Sequence, residues 1–132
     1  MQPYQLKIEK PWGYELIFTP SETSVVAKLI HLNAGARFSL QYHEIKEETL
    51  ILVSGQANII LGENKEILTK NEMVLNFGYL ITPKLIHRCE AISDCDILEA
   101  STKEKGVTVR LEDDYSRGNE TEEERLKYAC QK

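Results

Sequence analysis

The sequence lacks a long apolar run and an excess of basic residues. No apolar stretch approaches the ~20 residues that cross a bilayer, and the first residues, MQPY, form neither the basic nor the apolar part of a signal peptide. The net charge is −5, whereas a general nucleic-acid or membrane-surface binder needs a basic face. We therefore expect no nucleic-acid partner, no membrane partner and a cytoplasmic location.

Cysteine is also scarce. The three residues Cys89, Cys95 and Cys130 are odd in number and form no CxxC pair. We therefore expect three reduced thiols rather than a disulfide framework. A chain of 132 residues, 42% of them apolar, can bury a single core without such staples.

Short apolar segments separated by turns fill most of the chain. In residues 24–32, Val26, Ile30 and Leu32 share one face, which Lys28 interrupts. Further strands are expected at 49–53, 57–61, 73–75, 80–82, 86–89 and 96–100, with turns at 62–65 and 70–72. Many short strands with frequent turns predict an all-β sandwich or barrel.

The tail has a different character. Residues 119–132 are rich in helix formers, and Thr121 followed by Glu124 fits a capping box. Leu126, Ala129 and Cys130 fall on one stripe. We expect a β-barrel domain over residues 1–118 and a short C-terminal helix within 119–132 that packs on it. A frayed acidic tail is the alternative.

Four side chains that can bind a metal ion are Gln41, His43, Glu48 and His87. In an extended chain, residues two apart point to the same face, so Gln41 and His43 can project together into a barrel. A neutral imidazole, a carboxylate and an amide carbonyl are all ligands for divalent ions. Taken singly, each residue is more often structural, and only their spacing gives them weight.

That spacing resembles the cupin superfamily. The cupin signature G-x5-H-x-H-x(3,4)-E-x6-G reads here Gly35-x5-Gln41-x-His43-x4-Glu48-x6-Gly55, with Gln in place of the first His. The resemblance implies a single-domain double-stranded β-helix, also called a jelly-roll barrel.

Four motifs make the chain similar to the cupin domain of type II phosphomannose isomerases (mannose-6-phosphate isomerases). They are KPWGYE at 10–15, ARFSLQYHEIKEETLILV at 36–53, HRCE at 87–90 and VRLEDDYSR at 109–117. The resemblance implies a metal-dependent isomerase that interconverts an aldose and a ketose through an enediol, with a sugar phosphate as its partner.

The resemblance also implies site residues. One divalent ion would be held by Gln41, His43, Glu48 and His87, with zinc favoured and manganese, nickel or iron as alternatives. Lys46 and Arg110 are the candidate catalytic residues. Arg88 and Arg117 are the candidate substrate-binding residues, because the planar fork of arginine donates two hydrogen bonds to a phosphate. The proton-transferring base stays unassigned.

The chain departs from this family at Ile45, which stands where the family has a second His, and at Thr49 and Leu50, which replace a His and a Trp. Because alternate side chains of a strand share a face, we expect Ile45 to look into the barrel beside the metal. A non-catalytic sugar- or nucleotide-sugar-binding module with a degenerate site is the alternative to the isomerase. Cupins commonly pair through edge strands, so a homodimer is also expected.

Overall fold

The computed structural model describes residues 2–129, and side chains within residues 2–125. Over these residues the chain forms eleven strands and one helix. In chain order they are β1 (Leu6–Lys10), β2 (Gly13–Ile17), β3 (Val25–Leu32), β4 (Leu40–His43), β5 (Glu48–Ser54), β6 (Ala57–Asn64), β7 (Ile67–Glu72), β8 (Gly78–Ile81), β9 (Ile86–Ala91), β10 (Cys95–Thr102), β11 (Thr108–Glu112) and α1 (Glu122–Ala129).

The strands form two antiparallel sheets, which confirms the all-β prediction. One sheet has the order β1-β2-β3-β10-β5-β8 and the other the order β11-β4-β9-β6-β7. Alternate residues of the central strands are buried in a common apolar core, as Leu50 and Leu52 of β5 and Ile97 of β10 illustrate. Cys89 and Cys95 are free thiols in this core, and Cys130 lies outside the described residues.

One predicted turn and one predicted strand were wrong, and the turn expected at 62–65 falls instead at 65–66, because β6 continues to Asn64. Residues 70–72, expected to turn, belong to β7, and residues 73–75, expected to be a strand, form the connection to β8. The turn instead falls at Asn76, whose φ is +64° and whose N–H donates to the Leu52 carbonyl. β7 is the edge strand of its sheet and almost wholly exposed, so its polar sequence lacks the alternation that marks a buried strand.

The strand that carries Gln41 and His43 ends earlier than expected. β4 stops at His43 and the chain bends at Glu44 and Ile45. Ile45 is 57% exposed and lies against Gly106, so the expectation that it looks into the barrel was wrong. Alternation of faces holds only while the backbone is extended. Gln41 and His43 precede the bend and keep their predicted faces.

The short C-terminal helix was predicted correctly. The N–H of Glu124 donates to the Thr121 hydroxyl at 3.2 Å, which caps α1 as the capping box requires. The first turn of α1 contacts the loop at 103–107, because Glu122 accepts a hydrogen bond from the Gly106 N–H. The stripe at 126, 129 and 130 lies outside the described side chains, and the division at residue 118 stays a prediction. No helix within residues 2–129 is long and apolar enough to cross a membrane.

Candidate metal centre and its cavity

Three of the four predicted ligands converge. His43 ends β4, Glu48 begins β5 after the bend, and His87 lies on β9. The Nε2 atoms of both histidines and a carboxylate oxygen of Glu48 all lie within 4.8 Å of one another. The side chains are buried, with His87 0% exposed, Glu48 4% and His43 5%. Side chains about forty residues apart in sequence thus form one site.

Hydrogen bonds orient both imidazole rings. His87 Nδ1 lies 2.9 Å from the Leu85 carbonyl oxygen, which can only accept, so Nδ1 carries the proton and Nε2 presents a lone pair. His43 Nδ1 lies 2.9 Å from the Thr108 hydroxyl. A metal-binding histidine typically uses its second nitrogen in this way, which fixes the ring.

The converging atoms have no other hydrogen-bond partner. His43 Nε2, His87 Nε2 and Glu48 Oε2 are buried and lack one. Glu48 Oε2 does lie 2.9 Å from Lys46 Nζ, but outside hydrogen-bonding geometry. Buried polar atoms are normally satisfied, and a divalent ion would satisfy all three. Two imidazoles and a carboxylate suit zinc and also manganese, nickel or iron.

The protonation states of the site also suit a metal. Burial lowers the pKa of His43 to about 4, and the charge of Lys46 adds to this effect. Burial alone would raise the pKa of Glu48, but Lys46 and the two histidines outweigh it and hold that pKa well below its usual range. At neutral pH His43 is therefore neutral and Glu48 ionised, as metal binding requires.

Gln41 lies beside His43, Glu48 and His87 but is not one of the three converging ligands. It pairs with His87 across β4 and β9 and lines the same cavity. Its side-chain oxygen accepts a hydrogen bond from the buried Ser39 hydroxyl at 2.5 Å. Gln41 as a fourth ligand therefore stays a proposal.

The site opens into a cavity of about 590 Å³ between the two sheets. Side chains of the N-terminal strands, including Leu6, Ile8 and Val26, form an apolar part of its wall. Charged side chains form another part of the wall. Trp12 is 3% exposed and packs edge-on against Phe38. A cavity of this size holds a small molecule.

Lys46, the first candidate catalytic residue, lies at the metal site. It is 2% exposed, and its Nζ lies 2.6 Å from Glu104, 2.9 Å from Glu48 and 3.1 Å from Glu99. Burial would lower the pKa of Lys46, but these carboxylates raise it well above its usual range. Lys46 is therefore a permanent positive charge beside the proposed metal ligand Glu48.

Lys28 is a second buried cation of the same cavity. Its Nζ lies 3.3 Å from Glu15 and 3.8 Å from both Glu99 and Glu104. Strand register explains part of the arrangement, because Lys28 on β3 stands opposite Glu99 on β10. We call the six linked residues the inner charge network: Glu15, Lys28, Lys46, Glu48, Glu99 and Glu104.

Arg110 and Arg117 also line the cavity. Arg110 pairs with Glu120 at 3.4 Å and donates to the Gly118 carbonyl, while its Nε is buried without a partner. Arg117 pairs with Asp113 at 2.9 Å. Both arginines are thus close enough to contact a bound molecule.

The structure does not bring Arg88 to the cavity. Arg88 neighbours His87 on β9, so its side chain points to the opposite face. Its guanidinium donates to the carbonyl oxygens of Phe38 and Glu112, and it ties strand segments together there.

Lys28 and Glu99 were not predicted as site residues, although the sequence carries a signal for both. Each is the charged member of an inward-facing row that is otherwise largely apolar, as Ile30 and Leu32 show for β3 and Ile97 for β10. A charge at such a position needs a buried partner. Glu104, which follows β10 on a loop, carries no such signal.

A family model described as "Mannose-6-phosphate isomerase C-terminal" matches residues 2–115. The xanthan biosynthesis protein XanB of Xanthomonas campestris is 39% identical over 67 residues, which cover 50% of this chain and 14% of XanB. The alginate biosynthesis protein AlgA of Pseudomonas syringae is 37% identical over 68 residues, which cover 51% of this chain and 14% of AlgA. The chain thus matches about one-seventh of the length of these relatives.

Solved structures share the fold at low identity. The capsular polysaccharide assembling protein CapF of Staphylococcus aureus has a TM-score of 0.68 at 13% identity, covering 91% of this chain and 32% of CapF. The oxalate decarboxylase of Lactobacillus farciminis has a TM-score of 0.67 at 16% identity, covering 81% and 33%. KdgF from Halomonas sp. has a TM-score of 0.61 at 15% identity, covering 71% and 81%. These neighbours are cupins, and the predicted cupin fold is confirmed.

Proposed function

Because the chain belongs to the family of the mannose-6-phosphate isomerase C-terminal cupin domain, we propose that it is a metal-dependent sugar-phosphate isomerase. The proposed substrates are an aldose phosphate and the corresponding ketose phosphate, with mannose 6-phosphate and fructose 6-phosphate as the pair that the family suggests. The observation that carries the proposal is the convergence of His43, Glu48 and His87, with buried ligand atoms that lack hydrogen-bond partners.

The proposed reaction moves a proton between neighbouring carbons through an enediol, so negative charge develops on the substrate oxygens. A divalent ion on His43, Glu48 and His87, with Gln41 as fourth ligand, would act as a Lewis acid toward those oxygens. Zinc is favoured, with manganese, nickel or iron as alternatives. Fixed positive charge at the place where negative charge develops lowers the barrier, and Lys46 is such a charge.

Arg110 and Arg117 are proposed to position the substrate. The unpartnered Nε of Arg110 would donate to a substrate oxygen, since a buried donor without a partner costs free energy in the empty cavity. Arg117 shares the wall of the cavity and would contact the same molecule. Arg88 is left out of the proposal, because its side chain points away from the cavity.

A sugar- or nucleotide-sugar-binding module without catalysis is the second candidate. The observation that favours it is that the cavity arginines are already paired, Arg110 with Glu120 and Arg117 with Asp113, so a phosphate would have to compete for them. Against it, the departures from the family motif do not fill the cavity. Of the described residues that line it, none is Ile45, Thr49 or Leu50.

Metal content tests the site. We expect purified protein to bind close to one divalent ion per chain, and His43→Ala or His87→Ala to lose it. His31→Ala is the matched control. The Nδ1 atom of His31 lies 2.7 Å from Asp96, and His31 is not one of the three converging ligands. Protein that stays metal-free after incubation with zinc, manganese, nickel and iron would refute the site.

A coupled assay tests the reaction. Zinc-loaded protein is offered several aldose 6-phosphates in deuterated water, and both ketose formation and deuterium incorporation at the exchanging carbon are measured. Turnover with deuterium incorporation supports an enediol route. Tight binding without turnover in any metal form would favour the binding module.

We further propose a cytoplasmic homodimer. In support, the edge strand β8 and the loop before it expose large apolar side chains, with Val74 at 55%, Phe77 at 64% and Leu80 at 56%. Exposed apolar clusters beside a free sheet edge are typical of association surfaces. Sedimentation equilibrium should give twice the chain mass, and Phe77→Ser with Leu80→Ser should give the monomer.

A further inference from the structure

Glu104 reaches from a loop into the cavity and lies between two buried lysines. The loop at 103–107 connects β10 to β11. Glu104 Oε1 lies 2.6 Å from Lys46 Nζ and 3.8 Å from Lys28 Nζ. Its second oxygen, Oε2, lies 2.9 Å from Nε of Arg125 in the first turn of α1. One carboxylate thus connects the inside of the cavity to its rim.

Glu104 is the member of the inner charge network that can leave most easily. The side chains of Glu48 and Glu99 are 3% exposed and those two residues lie on strands, whereas the side chain of Glu104 is 20% exposed and lies on a loop. The loop is held at both ends, where the Lys103 N–H donates to the Ser24 carbonyl and the Glu44 N–H donates to the Val107 carbonyl, so a shift confined to residues 104–106 leaves these backbone bonds in place. Arg125 remains as a partner after such a shift, so the carboxylate would keep one ion pair.

Within the ion pairs that are linked to the inner charge network, the charge balance favours a negatively charged ligand once a metal is present. The inner charge network continues through Arg125 and Glu120 to Arg110. Together these residues supply four cations (Lys28, Lys46, Arg110, Arg125) and five carboxylates (Glu15, Glu48, Glu99, Glu104, Glu120). A divalent ion changes the excess of one negative charge into an excess of one positive charge. Because uncompensated buried charge is costly, one more negative group would then be stabilised.

We propose that Lys28 and Lys46 form a binding site for a small oxyanion, and that Glu104 occupies this site until a carboxylate or phosphoryl oxygen of a ligand displaces it toward Arg125. This inference names the anion subsite of the proposed isomerase, and its charge balance rests on the proposed metal. Displacement of Glu104 also frees the loop at 103–107, so ligand binding and loop release are coupled. A ligand shifts such an equilibrium only by its preference for one of the two states.

Glu104→Gln tests the competition, because it removes the charge of the resident carboxylate while keeping its shape. Affinities of zinc-loaded protein for D-gluconate and for inorganic phosphate are measured by titration calorimetry. We expect Glu104→Gln to bind at least one of them about fivefold tighter or more, in the usual range of coupling between two states. Glu63→Gln, the same change at an exposed position near the end of β6, is the control and should match wild type. Gluconate binding alone identifies a carboxylate ligand, and phosphate binding a phosphoryl ligand.

A second variant separates the lysine site from a general gain in positive charge. Lys28→Met added to Glu104→Gln restores the net charge of wild type and removes one side of the proposed site. We expect the gain in affinity to disappear. Equal affinities of wild type and Glu104→Gln, or no binding of either anion to any variant, would overturn the proposal.

Hydrogen exchange tests the loop. Saturation with the anion that binds should speed exchange of the amides at 103–107 in wild type. Unchanged or slower exchange would mean that Glu104 stays in place and the proposal is wrong. These readouts measure binding rather than turnover, so the two proposals can fail separately. Oxyanion binding without isomerisation would refute only the proposed isomerase. Isomerisation together with equal oxyanion affinities of wild type and Glu104→Gln would refute only the displacement of Glu104.

Discussion

Replacing Lys46 by methionine removes the cation that links the proposed metal ligand Glu48 to the rest of the inner charge network. Methionine keeps much of the apolar stem and takes away the charge. In chelator-treated protein the change leaves Glu48, Glu99 and Glu104 buried without the ammonium that lies 2.6–3.1 Å from each of them. The variant therefore measures what this cation contributes to folding.

The expected loss follows from the geometry. At an effective dielectric constant of about 20, each of the three pairs has a gross attraction of roughly 5–6 kcal/mol. Desolvation of the ions offsets most of this, but removing one partner of a buried pair still costs about 3–5 kcal/mol, because the opposite charges stay buried. Domains of ordinary stability unfold with about 5–15 kcal/mol, so Lys46→Met should lose a large fraction of that free energy.

Urea denaturation at neutral pH, followed by tryptophan fluorescence of Trp12, gives the free energy of unfolding. Lys65→Met is the matched control. Lys65 pairs with Glu112 at a similar distance, 3.2 Å, but both side chains are about half exposed, at 52% and 50%. Such a surface pair contributes about 0–1 kcal/mol. If Lys46→Met costs no more than Lys65→Met, the buried network does not hold its charges as described.

Acid should reduce the difference in the free energy of unfolding between wild type and Lys46→Met. Burial raises the pKa of Glu48 and Glu104, and Lys46 is the strongest of the charges that outweigh burial and lower it. A carboxyl whose pKa is lowered on folding stabilises the fold above its ordinary value of 4.5, and this stability is lost as the pH falls through the folded pKa. Wild type should therefore lose more stability than the variant below about pH 4.5, and a constant gap would contradict this assignment.

Three further predictions follow from single features of the fold. In metal-free protein the His43 ring should titrate by NMR near pH 4 rather than at the ordinary 6.5. Because the pKa of His43 is lowered on folding, this residue should reduce the free energy of unfolding as the pH falls from 6.5 to about 4. Gly35→Ala should lower the free energy of unfolding, measured in denaturant, by about 1–2 kcal/mol because the φ of Gly35 is +78°. Gly55→Ala should lower it more, because the φ of Gly55 is +81° and an added Cβ would also lie 2.2 Å from a backbone oxygen. Equal losses would refute the close approach at Gly55. Burial raises the pKa of the Cys89 and Cys95 thiols, so both should resist thiol reagents in native protein and react after denaturation, when the whole chain should titrate as three free thiols.

Most strands and the grouping of Gln41, His43 and Glu48 could be predicted because their signals are local. β3, β5 and β6 show alternation that depends only on neighbouring residues, and the spacing from Gln41 to Glu48 lies within one motif. His87 required the family resemblance, since nothing in its own segment separates a ligand from a buried structural histidine. Its position beside His43 follows from the pairing of β9 with β4.

The wrong prediction for Ile45 has a long-range cause. The prediction for Ile45 extended the alternation of β4 through a bend that begins at Glu44. The backbone and the carboxylate of Glu44 both bond to the backbone of Val107, a residue more than sixty positions away. No rule based on neighbouring residues can place that contact, so the end of the strand could not be predicted.

The inner charge network as a whole could not be predicted, although Lys46 and Glu48 were candidate site residues and Lys28 carried a signal of its own. Lys28 interrupts an apolar face, but the position of its partners depends on the strand order β3-β10-β5. That order places Glu99 opposite Lys28, and Ser101 opposite Glu48. A charge on an inward-facing row therefore predicts that a buried partner exists, and only the topology says which residue it is.

Glu48 belongs both to this network and to the proposed metal centre. One of its oxygens, Oε2, lies 2.9 Å from Lys46 Nζ, and the other, Oε1, lies on the side of His87 at 3.5 Å from Nε2. Oε2 also lies 3.2 Å from His43 Nε2, so the carboxylate faces both histidines and Lys46, and a divalent ion between the histidines would share it with the lysine. Lys46 holds the carboxylate ionised and oriented, so the proposed metal ion would need less reorganisation of the site on binding. The pair two residues apart in sequence is thus one unit, in which the lysine prepares the ligand and the ligand holds the lysine in the cavity.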